Sequence, residues 1–506
     1  MTTFKQIGVI GSGAMGRGIA QLFASAGVEV LLHDSRSEAI EQALMHNRES
    51  LERAAAKGKI SADVLAGTLE RMRAAHTLQE LAGCDLLIEA IVENLDAKQK
   101  LFQELEQLVS RDAVLASNTS SLSITLIASA CEHPQRVAGF HFFNPVTLMK
   151  IVEVVRGERT AAQVIERLSD LAQHAGHFAA VTPDSPGFLV NHAGRAYGPE
   201  ALRILAEGIA TPAQIDRILR DCLGFRMGPF ELFDLVGLDI SHAVMESIHD
   251  QFYQDPRYTP SSLVPARLAA GLLGRKTGQG FYRYEEGRVV EDARVELPPV
   301  AINQPFWLDC RDAAMRDKIG AVLSSAGAVL EQGEQPGSNA ICLVTPLGED
   351  ASSAIARRQL PVARSLALET FAGFDRRRVL MRHPGLDANV LAQARQALGA
   401  DGVPVEVIND SPGFIAQRVL ASIVNLGCEI VQRRIVDPAT LDRAVQLALG
   451  YPHGPLGFGD EYGAMNIQQI LQALHDCYQE PRYRLSPWLR RRVQLGLPLT
   501  TAEESA

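Results

Sequence analysis

A histidine and a carboxylate occur in two apolar stretches of the sequence. His141 lies within residues 138–145, and Glu153 lies within residues 150–155. Because the unperturbed pKa of histidine is near neutral, His141 could act as a general base. A histidine in an apolar strand is more often a satisfied core residue, and Glu153 could instead contact solvent at a sheet edge. From these two residues alone, a catalytic pair and two purely structural residues are both possible.

Hydroxyl groups are concentrated in residues 116–124, where an apolar strand gives way to a helix, and a third stretch, 185–191, ends in Asn191. In open α/β sheets, ligands bind beyond the carboxyl ends of the strands, where these groups and His141 would lie. The alternative for Ser120 is helix capping, which Ser117, Asn118 or Thr119 could also provide, and Asn191 could be a surface amide.

The elements that would position these groups begin with a dinucleotide fingerprint. An apolar strand runs into G-x-G-x-x-G and a helix-like stretch; the motif comprises Gly11, Ser12, Gly13, Ala14, Met15 and Gly16. Its first glycine permits a tight turn, the second lets the backbone approach a pyrophosphate, and the third allows close helix–strand packing. The alternative is a glycine turn that only packs a βα unit.

An acidic residue ends the second apolar run, as a dinucleotide site requires. Asp34 follows residues 28–33, where it can accept hydrogen bonds from the adenosine ribose and would repel a 2′-phosphate. The sequence therefore favours NAD over NADP, although Arg36 close by weakens that preference.

The bulk composition restricts the class of protein. The chain has 506 residues, 46% hydrophobic and 21% charged, which is ordinary for a globular protein of about three or four domains. A net charge of −10 argues against nucleic-acid binding and requires local positive groups for any phosphate-rich ligand. Seven dispersed cysteines without a C-x-x-C pair predict reduced thiols, a cytoplasmic protein and no metal cluster. We expect no targeting peptide and no membrane anchor.

Apolar strands alternate with helical patterns from residue 4 to about 185, which predicts a doubly wound parallel sheet. The expected strands are Gln6–Ile10, Glu29–His33, Leu86–Ala90, Val114–Ser117 and Arg136–Phe142. Residues 38–73 are expected to form two helices. Weaker alternation after residue 300 suggests strands at Asn339–Val344 and Arg378–Met381, and helices are expected again from about Val407.

The second major signal is an internal repeat. Residues 184–188, Asp-Ser-Pro-Gly-Phe, recur as residues 410–414, and further matches follow at the same spacing up to Asp234 and Asp460. The helical segment is therefore duplicated. We predict four parts: a Rossmann-type NAD-binding domain at 1–185, a helical domain at 186–285, a degenerate α/β domain at 300–405 and a second helical copy at 406–506. Residues 285–299 are expected to be a linker.

These motifs together resemble the 3-hydroxyacyl-CoA dehydrogenases of fatty-acid β-oxidation. The matching segments are Ser-Asn-Thr-Ser-Ser-Leu at 117–122, His-Phe-Phe-Asn-Pro at 141–145, Glu-Asn-Leu at 93–95, Pro-Gly-Phe at 186–188 and Lys-Thr-Gly-Gln-Gly-Phe-Tyr at 276–282. The layout with a second helical copy resembles the long bacterial form, associated with phenylacetate degradation through 3-hydroxyadipyl-CoA and with 3-hydroxybutyryl-CoA metabolism. The resemblance implies oxidation of the (3S)-hydroxyl of an acyl-CoA.

The resemblance also implies residue roles. His141 is the expected base, Glu153 its pairing partner, and Ser120 and Asn191 are expected to fix the substrate oxygen. Expected NAD contacts beside the fingerprint and Asp34 are Glu93, Lys98, Asn144 and Lys276, and expected CoA contacts are Ser50, Lys57 and Ser120. Lys98 and Lys57 could equally be solvated helix charges.

Two other classes stay open. One is a β-hydroxyacid dehydrogenase that uses a catalytic lysine and NADP; the other is a dinucleotide-binding module without turnover. The second helical copy has Gln417 in place of Asn191 and no His-Phe-Phe-Asn segment before it, so we expect it to be catalytically silent. We expect either a homodimer or a pseudo-dimer in which this copy packs on the first, with one NAD and one active site per chain and no fused hydratase.

Overall fold

A computed structural model describes residues 4–290 and 298–503. The chain forms two compact units, residues 1–192 with 434–449, and residues 193–433 with 450–506. None of the helices in the described residues is long and apolar enough to cross a membrane.

The first unit is built on an eight-stranded sheet in the order β3-β2-β1-β4-β5-β6-β7-β8, parallel except for the β6–β7 pair. Its strands are β1 (Gln6–Ile10), β2 (Glu29–His33), β3 (Met72–Ala75), β4 (Leu86–Glu89), β5 (Val114–Ser117), β6 (Val137–Phe142), β7 (Ile151–Arg156) and β8 (Phe178–Pro183). Its helices are α1 (Ala14–Ser25), α2 (Ser37–Ala56), α3 (Ala62–Arg71), α4 (Leu95–Leu108), α5 (Ile124–Ala128), α6 (Ala162–His174) and α7 (Val190–Ala193).

The predicted doubly wound fold is confirmed, with the strand order reversing between β1 and β4. Apolar residues of α1 and α6 bury one face of the sheet, and those of α4 and α5 bury the other. Three strands are additions to the predicted set: β3, β7 and β8. β3 follows α3 without a turn, and β8 is rich in alanine and ends in proline, so neither has the usual strand signal.

The second unit contains helices, a short hairpin and a second sheet. Before that sheet lie α8 (Gly198–Ala206), α9 (Pro212–Leu223), α10 (Pro229–Val236), α11 (Leu238–Gln251), α12 (Leu263–Ala269), β9 (Tyr284–Glu285) and β10 (Arg288–Val289). The hairpin β9–β10 occupies the start of the predicted linker, whose residues 291–297 lie outside the described residues.

The second sheet has the order β11-β12-β13-β14-β15. It comprises β11 (Phe306–Asp309), β12 (Ile341–Val344), β13 (Ser365–Leu368), β14 (Arg378–Arg382) and β15 (Val405–Asn409), with α13 (Ala313–Ser325), α14 (Ala351–Arg358) and α15 (Ala388–Leu398). Later helices are α16 (Ala416–Gln432), α17 (Pro438–Leu449), α18 (Pro455–Tyr462), α19 (Ala464–Tyr478) and α20 (Pro487–Leu495). The expectation of helix from about Val407 is wrong, because the β-branched run there forms β15.

The repeat is larger than the sequence indicates. Neighbouring strands from β11 to β15 run parallel, parallel, antiparallel and parallel, as they do from β4 to β8. Asp410 accepts from the first backbone N–H of α14, as Asp184 does from α5. The second sheet is therefore a copy of the half of the first sheet that lacks the glycine-rich turn.

Helices of each repeat cover the sheet of the other. In the second unit, Arg217 of α9 binds Glu406 of β15 (Nε–Oε1 2.8 Å), and in the first unit α17 packs on β7 and β8, with Arg443 over the ring of Phe178 at 4.6 Å. Exposed sheet edges tend to pair with other chains. The packing of α17 beside β8 and of α9 beside β15 therefore protects one edge strand of each sheet.

The two helical segments also meet directly inside the second unit. Glu200 of α8 accepts hydrogen bonds from Arg418 Nε (2.6 Å) and Tyr483 Oη (2.6 Å), and it pairs with Arg482. Burial alone would raise the pKa of Glu200, but Arg418 and Arg482 hold it at about 2. This buried ion cluster joins residues more than two hundred positions apart in sequence.

Candidate active site

His141 and Glu153 face each other across the antiparallel pair β6–β7. The Nδ1 atom of His141 lies 2.5 Å from Oε2 of Glu153, and the side chains are nearly or fully buried. A solvated edge position for Glu153 is therefore wrong. Pairing Nδ1 with a carboxylate fixes the tautomer and leaves Nε2 to accept a proton.

The other carboxylate oxygen of Glu153 is also fixed. Oε1 accepts from the backbone N–H groups of Leu189 and Val190, both at 2.8 Å, so Glu153 links β7 to the start of α7. The imidazole of His141 contacts the rings of Phe143 and Phe188, with centroids 4.5 and 5.9 Å away. The ring is thus held by one charged partner and two aromatic neighbours.

Residues 118–123, between β5 and α5, form a loop rich in hydroxyl groups, which we call the hydroxyl loop. It packs beside β6, the strand that contains His141. Asn118 Oδ1 accepts from the backbone N–H of Phe142 (2.8 Å), and the amide of Asn191 donates to the carbonyl of Ser120 (3.2 Å). Ser123, not Ser120, caps α5 by accepting from Leu126 N–H. The capping alternative for Ser120 is therefore wrong, and the structure brings Ser120 and Asn191 together.

The glycine-rich turn has the geometry of a phosphate cradle. Gly11 adopts φ +101°, and a β-carbon on Gly16 would lie 1.7 Å from the carbonyl oxygen of Gly11, so both positions require glycine. A β-carbon on Gly13 would meet nothing within 4 Å, and no side chain in the described part of the chain caps the N-terminus of α1, which begins at Ala14 and Met15. Free backbone N–H groups therefore face open space, which fits a pyrophosphate.

Asp34 lies beside this turn and is tied to it. Its Oδ2 accepts from the backbone and hydroxyl of Ser12 at 2.9 and 2.8 Å, and Oδ1 accepts from Arg36 N–H. Burial alone would raise the pKa of Asp34, but these hydrogen bonds hold it below its usual value. Oδ1 keeps a lone pair for a ribose hydroxyl.

A buried ion pair lies at the carboxyl end of β4. Lys98 is 1% exposed, and its ammonium lies 2.6 Å from Oε1 of Glu89 and 3.3 Å from Oε2 of Glu93. The alternative of a solvated lysine is therefore wrong. Glu93 Oε1 accepts from Thr119 Oγ1 (2.6 Å) and from Ser120 N–H (3.0 Å), so this cluster supports the hydroxyl loop.

A cleft of about 840 Å³ opens between α1, α2 and the loop after β6. Ser50, Lys57 and Asn144 line it, and Lys57 is exposed. The sequence did not identify the other positive groups that line the same cleft: Arg17, Arg53, Lys59 and Lys150. Together they supply the local positive charge that an acidic chain needs to hold phosphates.

Lys276 lies in the second unit, where its ammonium pairs with Oδ1 of Asp239 at 2.6 Å. Both side chains are 43% exposed. Its contact with NAD stays a prediction.

Comparison with known proteins decides the family. The family model described as "3-hydroxyacyl-CoA dehydrogenase, NAD binding domain" matches residues 6–185. The model of the C-terminal domain of the same family matches residues 187–284 and again residues 413–504. The chain belongs to the 3-hydroxyacyl-CoA dehydrogenase family. It has the NAD-dependent dehydrogenase activity for which this family is named, and NAD is its cofactor.

Relatives within the family share either the whole chain or its first part. A 3-hydroxyadipyl-CoA dehydrogenase of Escherichia coli is 36% identical over 498 residues, 98% of each chain. A probable 3-hydroxybutyryl-CoA dehydrogenase of Deinococcus radiodurans is 41% identical over 279 residues, 55% of this chain and 100% of its own. The crystal structure of a 3-hydroxybutyryl-CoA dehydrogenase from Escherichia coli superposes with a TM-score of 0.85 at 34% identity, covering 97% of this chain and 99% of that one.

Sequence reasoning missed three residues that organise this dehydrogenase site. Glu89 binds Lys98 and the hydroxyl of Ser117 (2.6 Å), Asn118 joins the hydroxyl loop to β6, and Asp184 accepts from Ser123 Oγ at 2.7 Å. A carboxylate at the end of the apolar run 86–88 was the available signal for Glu89, because a buried charge needs partners.

Proposed function

We propose that this dehydrogenase oxidises (3S)-3-hydroxyacyl-CoA to 3-oxoacyl-CoA with His141 as the general base. The observation that supports this most is the buried pair of His141 Nδ1 and Glu153 Oε2 at 2.5 Å. Nε2 is the remaining proton acceptor, and the carboxylate of Glu153 stabilises the imidazolium that forms.

The proposed step removes one proton and one hydride from the substrate. Ser120 and Asn191 hold the substrate hydroxyl, its proton passes to Nε2 of His141, and the electron pair of the O–H bond forms the C3 carbonyl. Bound NAD supplies the acceptor for the hydride that leaves C3. The groups proposed to hold the cofactor are the glycine-rich turn, Asp34, the Glu93–Lys98 pair and Asn144.

A substitution at the base tests this assignment. His141→Asn is expected to lower kcat by about 10²- to 10⁴-fold while NADH binding, followed by fluorescence, stays within about twofold. A variant that retains wild-type turnover would exclude His141 as the base.

For the carrier, we propose that the cleft lined by Ser50 and Lys57 takes the CoA arm. Its basic side chains support this, because the nucleotide part of CoA is rich in phosphate. The Asn144–Pro145 peptide is cis and follows directly after the Phe143 ring.

We propose 3-hydroxyadipyl-CoA as the substrate, as in phenylacetate catabolism, with 3-hydroxybutyryl-CoA as the second candidate. The first is favoured by the 36% identity to a 3-hydroxyadipyl-CoA dehydrogenase over 98% of each chain. The second is favoured by the superposition, at a TM-score of 0.85, on a 3-hydroxybutyryl-CoA dehydrogenase. NADH production from 3-hydroxyadipyl-, 3-hydroxybutyryl- and long-chain 3-hydroxyacyl-CoA separates them. A kcat/KM at least tenfold higher for the dicarboxylic substrate is expected, and a preference for either other substrate would contradict it.

We also propose that the four predicted parts act as one pseudo-dimer, with residues 413–504 in place of a partner subunit. Contacts between α8 and α16 and the mutual cover of the sheets support this. Seven free thiols favour a cytoplasmic location. Size-exclusion chromatography with light scattering is expected to give one chain per particle, and a stable dimer would contradict the proposal.

A further inference from the structure

Three charged side chains at the carboxyl end of β4 have a net charge that the proposed reaction does not explain. We call Glu89, Lys98 and Glu93 the Glu89 triad. Glu89 is fully buried, and its oxygens accept from Lys98 Nζ (2.6 Å), Ile91 N–H (2.7 Å) and Ser117 Oγ (2.6 Å). The triad contains two carboxylates and one ammonium, so one negative charge is left over.

The left-over charge is close to the hydroxyl loop. Burial alone would raise the pKa of Glu93, but Lys98 and hydrogen bonds from the loop hold it below its usual value, so Glu93 is ionised. Its Oε1 lies 3.0 Å from the backbone nitrogen of Ser120. Because a hydride donor and its acceptor must be adjacent, a substrate held by Ser120 would place the reacting end of bound NAD near the triad.

The nicotinamide ring has a positive charge in NAD⁺ and none in NADH. In a site of low dielectric, a fixed negative charge nearby stabilises the cation and not the neutral ring. Lys98 alone would oppose this, and Glu89 is the residue that neutralises Lys98.

We propose that Glu89 is a positioning residue that makes the cofactor site prefer NAD⁺ over NADH. It acts through Lys98, whose ammonium it binds, so that the triad keeps one net negative charge. The inference rests on the proposed role of Ser120 at the reacting end of the site.

The test measures binding without turnover. Glu89→Gln is expected to shift the ratio of NAD⁺ to NADH affinity about tenfold toward NADH, with NADH followed by fluorescence and NAD⁺ by calorimetry in the absence of acyl-CoA. For a two-electron couple, tenfold corresponds to a rise of about 30 mV in the potential of the bound cofactor.

Matched variants separate charge from structure. Ser117→Ala removes a hydrogen bond to Glu89 without changing charge, and Glu106→Gln removes a buried carboxylate that pairs with Arg136; neither should change the ratio. If Glu89→Gln does not fold, Glu93→Gln, at a position whose side chain is 37% exposed, removes the same charge and should shift the ratio in the same direction.

An unchanged ratio in the carboxylate variants, or an equal loss of both affinities, would overturn the proposal. Failure of the proposed catalytic step is read separately, from the turnover of His141→Asn, because the affinity ratio involves no proton transfer.

Discussion

The second sheet and strands β4–β8 of the first share strand order and direction but differ at the position of the His141–Glu153 pair. Glu369 follows β13 where His141 lies in β6, and Val379 of β14 faces it where Glu153 faces His141. Gln417 Nε2 donates to Oε1 of Glu369 at 2.9 Å. The same strand arrangement therefore packs without a histidine–glutamate pair at this position.

The difference extends to the ligand sites. A cavity of about 820 Å³ remains at the carboxyl ends of β11 and β12, but this half lacks the glycine-rich turn. At the position of the hydroxyl loop, α19 packs so closely that a β-carbon on Gly348 would lie 2.9 Å from Ala473. The second sheet therefore has a cavity at its carboxyl ends, while the position of the hydroxyl loop is packed against α19.

The largest expected effect comes from Glu153, whose place in the second sheet is taken by Val379. Glu153→Gln should lower kcat by about 10²- to 10⁴-fold, because the imidazole loses the charge that orients and stabilises it. Steady-state NADH production measures this. Glu369→Gln is the matched control in the other sheet and should leave kcat unchanged; a comparable loss there would mean that the second half takes part in catalysis.

The next largest effect concerns the buried ion cluster that joins α8 of the first helical segment to α16 of the second. Arg418→Met should lower the free energy of unfolding by about 3–5 kcal/mol, because Glu200 is left buried and charged. Urea denaturation gives this value. Arg203→Met removes a more exposed pair with Glu480 between the same segments and should cost about 1 kcal/mol or less. Equal costs would mean that the buried cluster does not join the halves.

The pH dependence of stability should also distinguish the halves. Burial raises the pKa of Glu369 from its usual value to about 7. Since the protonated form is favoured in the folded state, this residue stabilises the protein most below about pH 4.5, and the contribution is lost as pH rises to about 7, roughly 3 kcal/mol in all.

Thermal unfolding of wild type and Glu369→Gln between pH 5 and 8 tests this. The variant should lack that part of the decline and should be more stable than wild type at pH 8. Parallel curves would show that Glu369 does not titrate in this range.

The smallest effect concerns the cleft lined by Ser50 and Lys57. Lys57→Ala should raise the KM for acyl-CoA by about two- to fivefold, because an exposed charge near phosphate contributes little. The KM for NAD should not change, and neither constant should change in Lys100→Ala, an exposed lysine on α4. An effect on NAD alone would move Lys57 out of the proposed CoA site.

Local signals made the first half predictable. The glycine spacing, Asp34 and the apolar runs of β1, β2 and β5 indicate a dinucleotide fold without reference to distant contacts. The family resemblance then supplied the pairing of His141 with Glu153, which no local pattern contains.

The rest depends on long-range packing. β11 and β13 are short apolar runs, and such runs cannot be told from helix by periodicity. The sequence did not show that β11–β15 copy β4–β8, because the two sets share strand direction and strand order but not their side chains. Glu89, Lys98 and Ser117 come from three different elements, so their contact follows only from the order of the strands.

The mutual cover of the sheets by α9 and α17 has a consequence for dilution. Two separate subunits come apart when their concentration falls below their dissociation constant, whereas segments of one chain keep a local concentration set by the connection between them. At the nanomolar enzyme levels of an assay, the first sheet of this chain therefore keeps its covering helix α17.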